Sequence, residues 1–251
     1  MKHKMMNFSL SFLLSNSIFS LVGLSMLIQL NSSMTIGNII IGMFLGLIAI
    51  RFIPTLPKFI RIFIAILLLV VETIFFAISL RFTISKDIPF WILLIITILC
   101  FLYFGKQKKL QIKYFTLSLF FLSIILTIFT WIGLIPNIHF QFLNISNSYM
   151  ILQGVFWYFL MTVLPILLLK KEERNPLAYG LSSLLNLITT LLVFFTLGIT
   201  LSSYYLFPHF VMLSEIEYFE VIRRIDQFLF FPNLFSGFIL LIYTYQIIND
   251  F

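Results

Sequence analysis

Charged residues are scarce in this chain of 251 residues, and their scarcity excludes a soluble fold. Asp, Glu, Lys and Arg make up 10% of the sequence, whereas hydrophobic residues make up 61%. A soluble globular protein usually carries about 25% charged residues. So few charges cannot cover a surface in water, and we therefore predict an integral membrane protein. We expect residues 1–251 to form a single transmembrane domain, with no soluble domain.

Residues that usually carry chemistry are also few. The single cysteine, Cys100, lies inside an apolar run, which excludes a disulfide framework and gives no Cys/His nucleophile. The three histidines, His3, His139 and His209, lie outside the apolar runs, and no two have the spacing of metal ligands. A glycine-rich phosphate loop is lacking as well. The sequence therefore predicts no enzyme activity, no metal site and no cofactor.

Long apolar stretches are what the sequence has in abundance. A membrane-spanning helix needs about 20 predominantly apolar residues. Eight stretches approach or reach that length, at 8–29, 36–53, 59–80, 88–104, 113–134, 150–169, 177–204 and 227–248. Lipid offers no hydrogen bonds to the backbone, so helices are the structure that such stretches favour. We predict an all-α fold, a polytopic helical membrane bundle of about eight transmembrane helices.

Basic residues indicate on which side of the membrane the loops lie. Twelve of the 16 Lys and Arg residues flank the stretches on one side and four flank them on the other, which predicts both termini in the cytoplasm of a bacterial cell. Because these residues lie in short loops, we expect membrane lipid as a partner and not nucleic acid. The segment "KKEER" at 170–174 is interpreted as a solvated inner loop, and 207–220 as an amphipathic helix on the outer surface.

Two polar features interrupt the apolar stretches. Glu72 lies over halfway through the third stretch, where a carboxyl group costs a few kcal/mol and usually marks a substrate or proton path; the alternative is a neutral group bonded to a neighbouring helix. Ser15, Asn16 and Ser17 form a cluster in the first stretch, followed by Gly23. They favour either an interrupted helix whose backbone holds a substrate, or side chains bonded to other helices or to their own turn.

Four further stretches occur in the order found in one family of membrane proteins. They are "KDIPFWILLIITILCFLYFGKQ", "TWIGLIPNIHFQFL", "LMTVLPILLLKKEERNPLAYGLSSLL" and "FPHFVMLSEIEYFEVIRRIDQFLFF". The chain resembles, over nearly its whole length, the B-type permease subunits of endospore germinant receptors, which belong to the amino acid–polyamine–organocation superfamily. The matching residues include Pro136, Asn137, Pro165, Arg224, Ile225 and Asp226.

The resemblance implies a fold, a function and partners. The implied fold is an inverted-repeat transporter fold. It would be shortened at the C-terminal end, because the family has ten spans and this chain has about eight. The implied function is binding of a small nutrient of the amino acid class in the membrane, by resemblance the inner membrane of a spore. Its implied partners are the A-type and C-type germinant-receptor subunits. The alternatives are a small amino acid transporter and a membrane scaffold that binds no ligand.

The resemblance also implies where the ligand lies. A site between spans one, three, six and eight would contain Ser15, Asn16, Ser17, Glu72, Gly154 and Tyr158. Family members tend to have an acidic residue after the glycine of span six, where this chain has Val155 after Gly154. At the outer mouth of the last span, Arg224 and Asp226 would gate the vestibule, and Asp226 would meet the ammonium group of an amino acid. Simple anchoring of the helix at the membrane interface is the alternative for this pair.

Overall fold

Helices dominate the part of the chain that the structure describes. This computed structural model describes residues 2–31, 35–83, 87–107, 109–139, 151–205, 208–214 and 225–250, and these contain no strand. The α-helices are α1 (Lys2–Ile18), α2 (Leu24–Asn31), α3 (Thr35–Phe52), α4 (Lys58–Thr83), α5 (Phe90–Gly105), α6 (Lys109–Leu134), α7 (Ile151–Leu167), α8 (Pro176–Leu197), α9 (Ile199–Tyr204), α10 (Pro208–Ser214) and α11 (Ile225–Asn249). The predicted all-α class is confirmed.

Several of these helices are suited to a membrane. Five are long and apolar enough to cross it: Thr35–Phe52, Lys58–Thr83, Gln111–Asn137, Pro176–Leu197 and Leu229–Asn249. Two more apolar helices, Phe90–Gly105 and Gln153–Leu167, are shorter. Each of the eight predicted stretches overlaps a helical segment. The predicted helical membrane bundle therefore agrees with the structure, while the count of eight spans stays a prediction.

Two of the predicted stretches are not regular α-helices throughout. A π-helical turn, Phe19–Gly23, lies between α1 and α2, and the Leu24 amide donates to the Phe19 carbonyl, five residues back. Such turns insert one extra residue into a helix and are frequent at functional sites. The seventh stretch is interrupted at Gly198, which has φ 78° and separates α8 from α9. A positive φ is accessible to glycine at little cost, so this break is encoded locally.

The first helix lies at the centre of the bundle. α1 packs against α6, α7, α8 and α11. From Ser9 to Ile18 its side chains are buried on nearly all sides, as expected for a helix segment without a water- or lipid-facing surface. They include Leu10, Leu13 and Leu14, each at most 1% exposed. By contrast, α4 and α5 present large apolar groups outward, such as Phe59 and Trp91. The polar groups of α1 are therefore turned towards other helices and away from lipid.

Glycines allow two buried tyrosines to fit against α3. Gly42 and Gly46 lie four residues apart, on one face of that helix, as in small-residue helix contacts of membrane proteins. The Tyr158 ring of α7 covers Gly42, and the Tyr179 ring of α8 covers Gly46. A Cβ atom at either glycine would overlap the tyrosine. α3, α7 and α8 are thus joined through these two contacts.

The loops that carry most basic residues meet at one end of the bundle, here called the basic end. The interpretation of 170–174 as a solvated loop is wrong for part of it. Arg174 is only 7% exposed, and its guanidinium bonds to backbone carbonyls of Ile53, Leu167 and Leu169. These carbonyls lie at helix ends, where no intrahelical amide reaches them. Burial and the neighbouring charge of Arg61 lower the pKa of Arg174, but a guanidinium stays protonated at neutral pH.

At the opposite end, α10 is inserted among the helices. We expected segment 207–220 to lie on the outer surface, but Met212 and Leu213 are 0% exposed and α10 packs against α8, α11 and α2. That expectation is wrong for Pro208–Ser214. Its physical reason is composition, because "PHFVMLS" offers mostly apolar side chains that the bundle can bury. Residues 215–220 of the segment lie outside the described residues.

Candidate functional site

A small polar cavity lies between α1, α6, α8, α10 and α11. Its volume is about 40 Å³, which is space for roughly three water molecules. Five hydroxyl groups, three carboxamides and one imidazole line it: Ser20, Ser123, Thr127, Thr130, Thr189, Asn16, Asn186, Asn233 and His209. Aromatic and apolar side chains complete the wall, among them Phe12, Phe19 and Trp131. None of the described lining residues is charged.

Helical spacing brings these groups to one place. On α6, Ser123, Thr127 and Thr130 follow each other at intervals of four and three residues, so they share one face. On α8, Asn186 and Thr189 are three residues apart and therefore also share one face. The π-helical turn contributes its own first two residues, Phe19 and Ser20.

A hydrogen bond between His209 and Asn233 connects α10 to α11 at the cavity wall. The Asn233 Nδ2 atom lies 2.9 Å from His209 Nδ1. Burial lowers the pKa of His209 to about 4, so the imidazole is neutral at pH 7. When Asn233 donates, His209 accepts on Nδ1 and carries its proton on Nε2. The pair therefore fixes one edge of the cavity without introducing a charge.

Of the polar cluster predicted in the first helix, one residue reaches the cavity. Asn16 lines it. Ser15 donates to the Phe12 carbonyl at 2.8 Å, and Ser17 donates to the Leu14 carbonyl at 2.8 Å. Both serines are fully buried. Their hydroxyls are thus used within their own helix, which is the second of the two alternatives considered for the cluster, while the π-helical turn follows directly after it.

Glu72 is buried deeply, as its position in the sequence suggests, but it does not line the cavity. The side chain is 0% exposed, and neither carboxyl oxygen has a hydrogen-bond partner among the described residues. Gly237 of α11 makes room for it: a Cβ atom there would lie 2.6 Å from Glu72 Oε1 and 2.7 Å from Leu21 of the π-helical turn. The carboxyl group thus lies beside the irregular part of the central helix. Bonding to a neighbouring helix, one alternative for Glu72, is not seen among the described residues.

The two candidates on span six pack against α3 and do not line the cavity. Gly154 is covered by the side-chain amide of Asn38. Tyr158 packs on Gly42, and its ring meets Phe19 edge-on at 5.3 Å between centroids. Neither residue belongs to the wall of the polar cavity.

The predicted gate on the last span cannot be placed. Arg224 lies outside the described residues, and Asp226 belongs to α11 with a side chain that is also outside them. Their proposed roles stay predictions.

A second, larger pocket opens at the basic end. It has a volume of about 320 Å³, and its wall includes the charged residues Arg61, Lys113, Lys170, Glu173 and Asp250. Lys113 Nζ lies 2.8 Å from Glu173 Oε1. The two pockets therefore differ in character, since the pocket at the basic end carries both signs of charge and the cavity carries none among its described residues.

Neither pocket has the residues of a metal centre. No group of three or more His, Cys, Asp or Glu side chains that could hold an ion occurs within the described ranges.

No family model, curated protein or solved structure matches the chain. The site therefore has to be interpreted from its own residues.

Sequence reasoning missed the cavity residues of α6, α8 and α10. Their signal was the spacing of hydroxyl and amide side chains along the faces of α6 and α8.

Proposed function

We propose that the chain is a permease-like membrane subunit that binds a small polar nutrient in the cavity, in the manner of the B-type subunits of spore germinant receptors. The observation that carries the proposal is the convergence of polar side chains on one cavity inside an apolar bundle. Polar groups inside a membrane bundle are costly and usually mark a substrate path. The collinear motifs described above support the choice of family.

The chemistry of the cavity defines how a ligand would be held. Hydroxyls and carboxamides both donate and accept, and each hydrogen bond gained contributes about 0.5–1.5 kcal/mol net. The ligand would lie beside the π-helical turn of the central helix, close to where α10 joins the bundle through His209 and Asn233. Ligand contact at this junction would then act on the packing of α10 against α11. This is the property that a nutrient sensor needs.

Two serines on α6 provide a matched test. Ser123 lines the cavity and its hydroxyl has no partner among the described residues. Ser118 lies one and a half turns away, exposed on the outside of the helix and bonded to the Tyr114 carbonyl. We would measure binding of each of the twenty amino acids to the purified protein by thermal shift. For any amino acid that binds, Ser123→Ala should weaken binding several-fold and Ser118→Ala should leave it unchanged.

Results that contradict the proposal are equally clear. Equal affinities in both serine variants would place the ligand outside the cavity. Failure of every amino acid to shift the protein, together with no association with A-type and C-type subunits on co-expression, would favour the scaffold alternative.

A further inference from the structure

The pocket at the basic end is a real space in the bundle, and half of its wall is charged. Its volume of about 320 Å³ lies at the lower end of the range for small-ligand pockets, about 300–1,000 Å³. Five of its ten lining residues are charged, in a chain of which only 10% is charged. So strong a concentration of charge around an open space is typical of a binding site for a charged group.

Separate elements of the fold bring these charges together. Arg61 lies in the first turn of α4, and Lys113 lies near the start of α6. Lys170 and Glu173 belong to the loop before α8, and Asp250 follows the last residue of α11. Because these positions are far apart in the sequence, only the packing of the helices creates the pocket.

The carboxylate of Glu173 is already occupied within the wall. Lys113 Nζ lies 2.8 Å from Glu173 Oε1, and the Tyr243 hydroxyl also bonds to Glu173. The other acidic residue, Asp250, is exposed at the end of α11. The charge of Glu173 is therefore balanced by Lys113, and the sign of the remaining field depends on the other charged residues.

Arg174 adds a further positive charge behind the wall. Burial lowers the pKa of Arg174, and so does the charge of Arg61, which means that the two guanidinium groups lie near each other. The four hydrogen bonds of Arg174 go to backbone carbonyls, which carry no net charge. Four positive charges thus face two negative ones: Arg61, Lys113, Lys170 and Arg174 against Glu173 and Asp250. The excess of positive charge favours an anionic ligand.

Phosphate is the anionic group that fits this wall. A guanidinium offers a planar fork of donors that matches phosphate oxygens, and lysine binds phosphate as a point charge. The apolar part of the wall, formed by the buried side chains of Leu10, Ile112 and Ile247, suits the carbon atoms of a phosphate ester. Basic pockets between membrane helices on the cytoplasmic side, where we expect the basic end, bind the head groups of anionic lipids.

We propose that the pocket at the basic end binds a phosphate group, carried either by an anionic membrane lipid or by a soluble phosphate compound. Arg61 and Lys170 hold the phosphate oxygens, while Lys113 remains bonded to Glu173. The proposal does not depend on the function proposed for the polar cavity, because the two pockets have no described lining residue in common.

Two consecutive lysines provide matched variants for the test. Lys170 belongs to the pocket wall and Lys171 does not; both are exposed, so each change to Gln removes one positive charge from the same surface. A ligand that binds the folded protein raises its unfolding midpoint in proportion to occupancy. The midpoint is measured in neutral detergent during two titrations, one with phosphatidylglycerol and one with inorganic phosphate replacing chloride at constant ionic strength.

We expect the midpoint of the parent protein to rise in at least one titration. Lys170→Gln should raise the half-saturating concentration about three-fold, and Arg61→Gln should raise it about ten-fold or more. Lys171→Gln should leave it unchanged. If Arg61→Gln does not fold, the comparison of the two exposed lysines still decides the proposal.

The two titrations distinguish the sources of the phosphate group. A rise with phosphatidylglycerol alone identifies a lipid head group, whereas a rise with inorganic phosphate shows that the phosphate group is sufficient and that a soluble compound can supply it. No rise in either titration would overturn the proposal. Equal effects of Lys170→Gln and Lys171→Gln would also overturn it, since they would indicate general attraction of anions to the basic end and not binding in the pocket.

Discussion

Arg174 joins the ends of two helices at the basic end, and its replacement tests how much that joint stabilises the bundle. The guanidinium donates to the Ile53 carbonyl at 2.7 Å, to Leu169 at 3.0 Å, to Leu167 at 3.1 Å and to Pro54 at 3.3 Å. Leu167 is the last residue of α7, and Ile53 follows the last residue of α3. Arg174→Ala removes all four bonds at once and leaves these carbonyls without a donor.

The expected cost follows from the geometry. A hydrogen bond to a charged group contributes about 1.5–3 kcal/mol, and such bonds are not additive. Arg174 is 7% exposed, so after its replacement water can supply only some of the hydrogen bonds that its guanidinium donates. If two of the four bonds are not replaced, Arg174→Ala destabilises the protein by at least about 3 kcal/mol. Arg174→Lys should recover roughly half of this, since an ammonium lacks the planar fork that reaches several carbonyls.

Thermal unfolding in detergent measures the effect, with a neighbour in the same loop as the control. A loss of about 3 kcal/mol corresponds to a midpoint lower by roughly 6–12 °C for a chain of this size. Lys171 is exposed, and the bond from its backbone amide to Thr55 does not depend on the side chain. Lys171→Ala should therefore change the midpoint little. Equal midpoints for Arg174→Ala and Lys171→Ala would refute the role assigned to the guanidinium.

Four further predictions follow from other parts of the bundle. Glu72→Leu should leave membrane abundance near normal, because no hydrogen bond is lost, while Glu72→Gln and Glu72→Leu both reduce any nutrient response; normal responses in both would remove this residue from function. Gly237→Ala should lower stability by about 1–3 kcal/mol through contact with the carboxyl, whereas Gly37→Ala, with nothing within 4 Å of the added Cβ, should not. Because His209 has a pKa of about 4 in the fold against 6.5 ordinarily, the unfolded chain binds more protons between these values, so stability should fall as pH falls from 6.5 to 4; His209→Gln should abolish that part of the pH dependence. Reporter fusions in the loop 106–109 and after the C-terminal residue should both report the cytoplasm, and an external signal at either would contradict the topology.

The helices could be predicted from the sequence because the apolar stretches are long and contain few charged residues. Their internal breaks could not. The π-helical turn at Phe19–Gly23 depends on how α1 packs among four neighbours, and no local residue type demands it. Gly198 was a readable signal, since it is the residue with positive φ that ends α8. Because the residues on both sides of Gly198 are apolar, the sequence predicted one stretch over 177–204 and not two helices.

The site was predictable only in part, for a related reason. Asn16 and Glu72 stand out because amides and carboxyls are rare in apolar stretches, and both are indeed directed into the bundle. Serines and threonines give a weak signal, because they can bond to the preceding turn, as Thr116 does to Ile112 at 2.7 Å. Which hydroxyls line a cavity is decided by the neighbouring helices. The packing of α10 beside the cavity, with its imidazole, is likewise a tertiary property.

The contacts made by Arg174 and by Tyr179 connect the same three helices at two depths. Tyr179 joins α8 to α7 through Thr162 and to α3 through Gly42. Arg174, just before α8, joins the ends of α7 and α3. The two contacted carbonyls, of Gly42 and Ile53, are eleven residues apart, or roughly 16 Å along the helix axis. Tyr179→Phe removes the hydroxyl that makes one contact, and Arg174→Ala removes the other. If both contacts stabilise the same packing of α3, α7 and α8, the loss of stability in the double variant should differ from the sum of the two single losses. A purely additive loss in thermal unfolding would mean that the two contacts act independently.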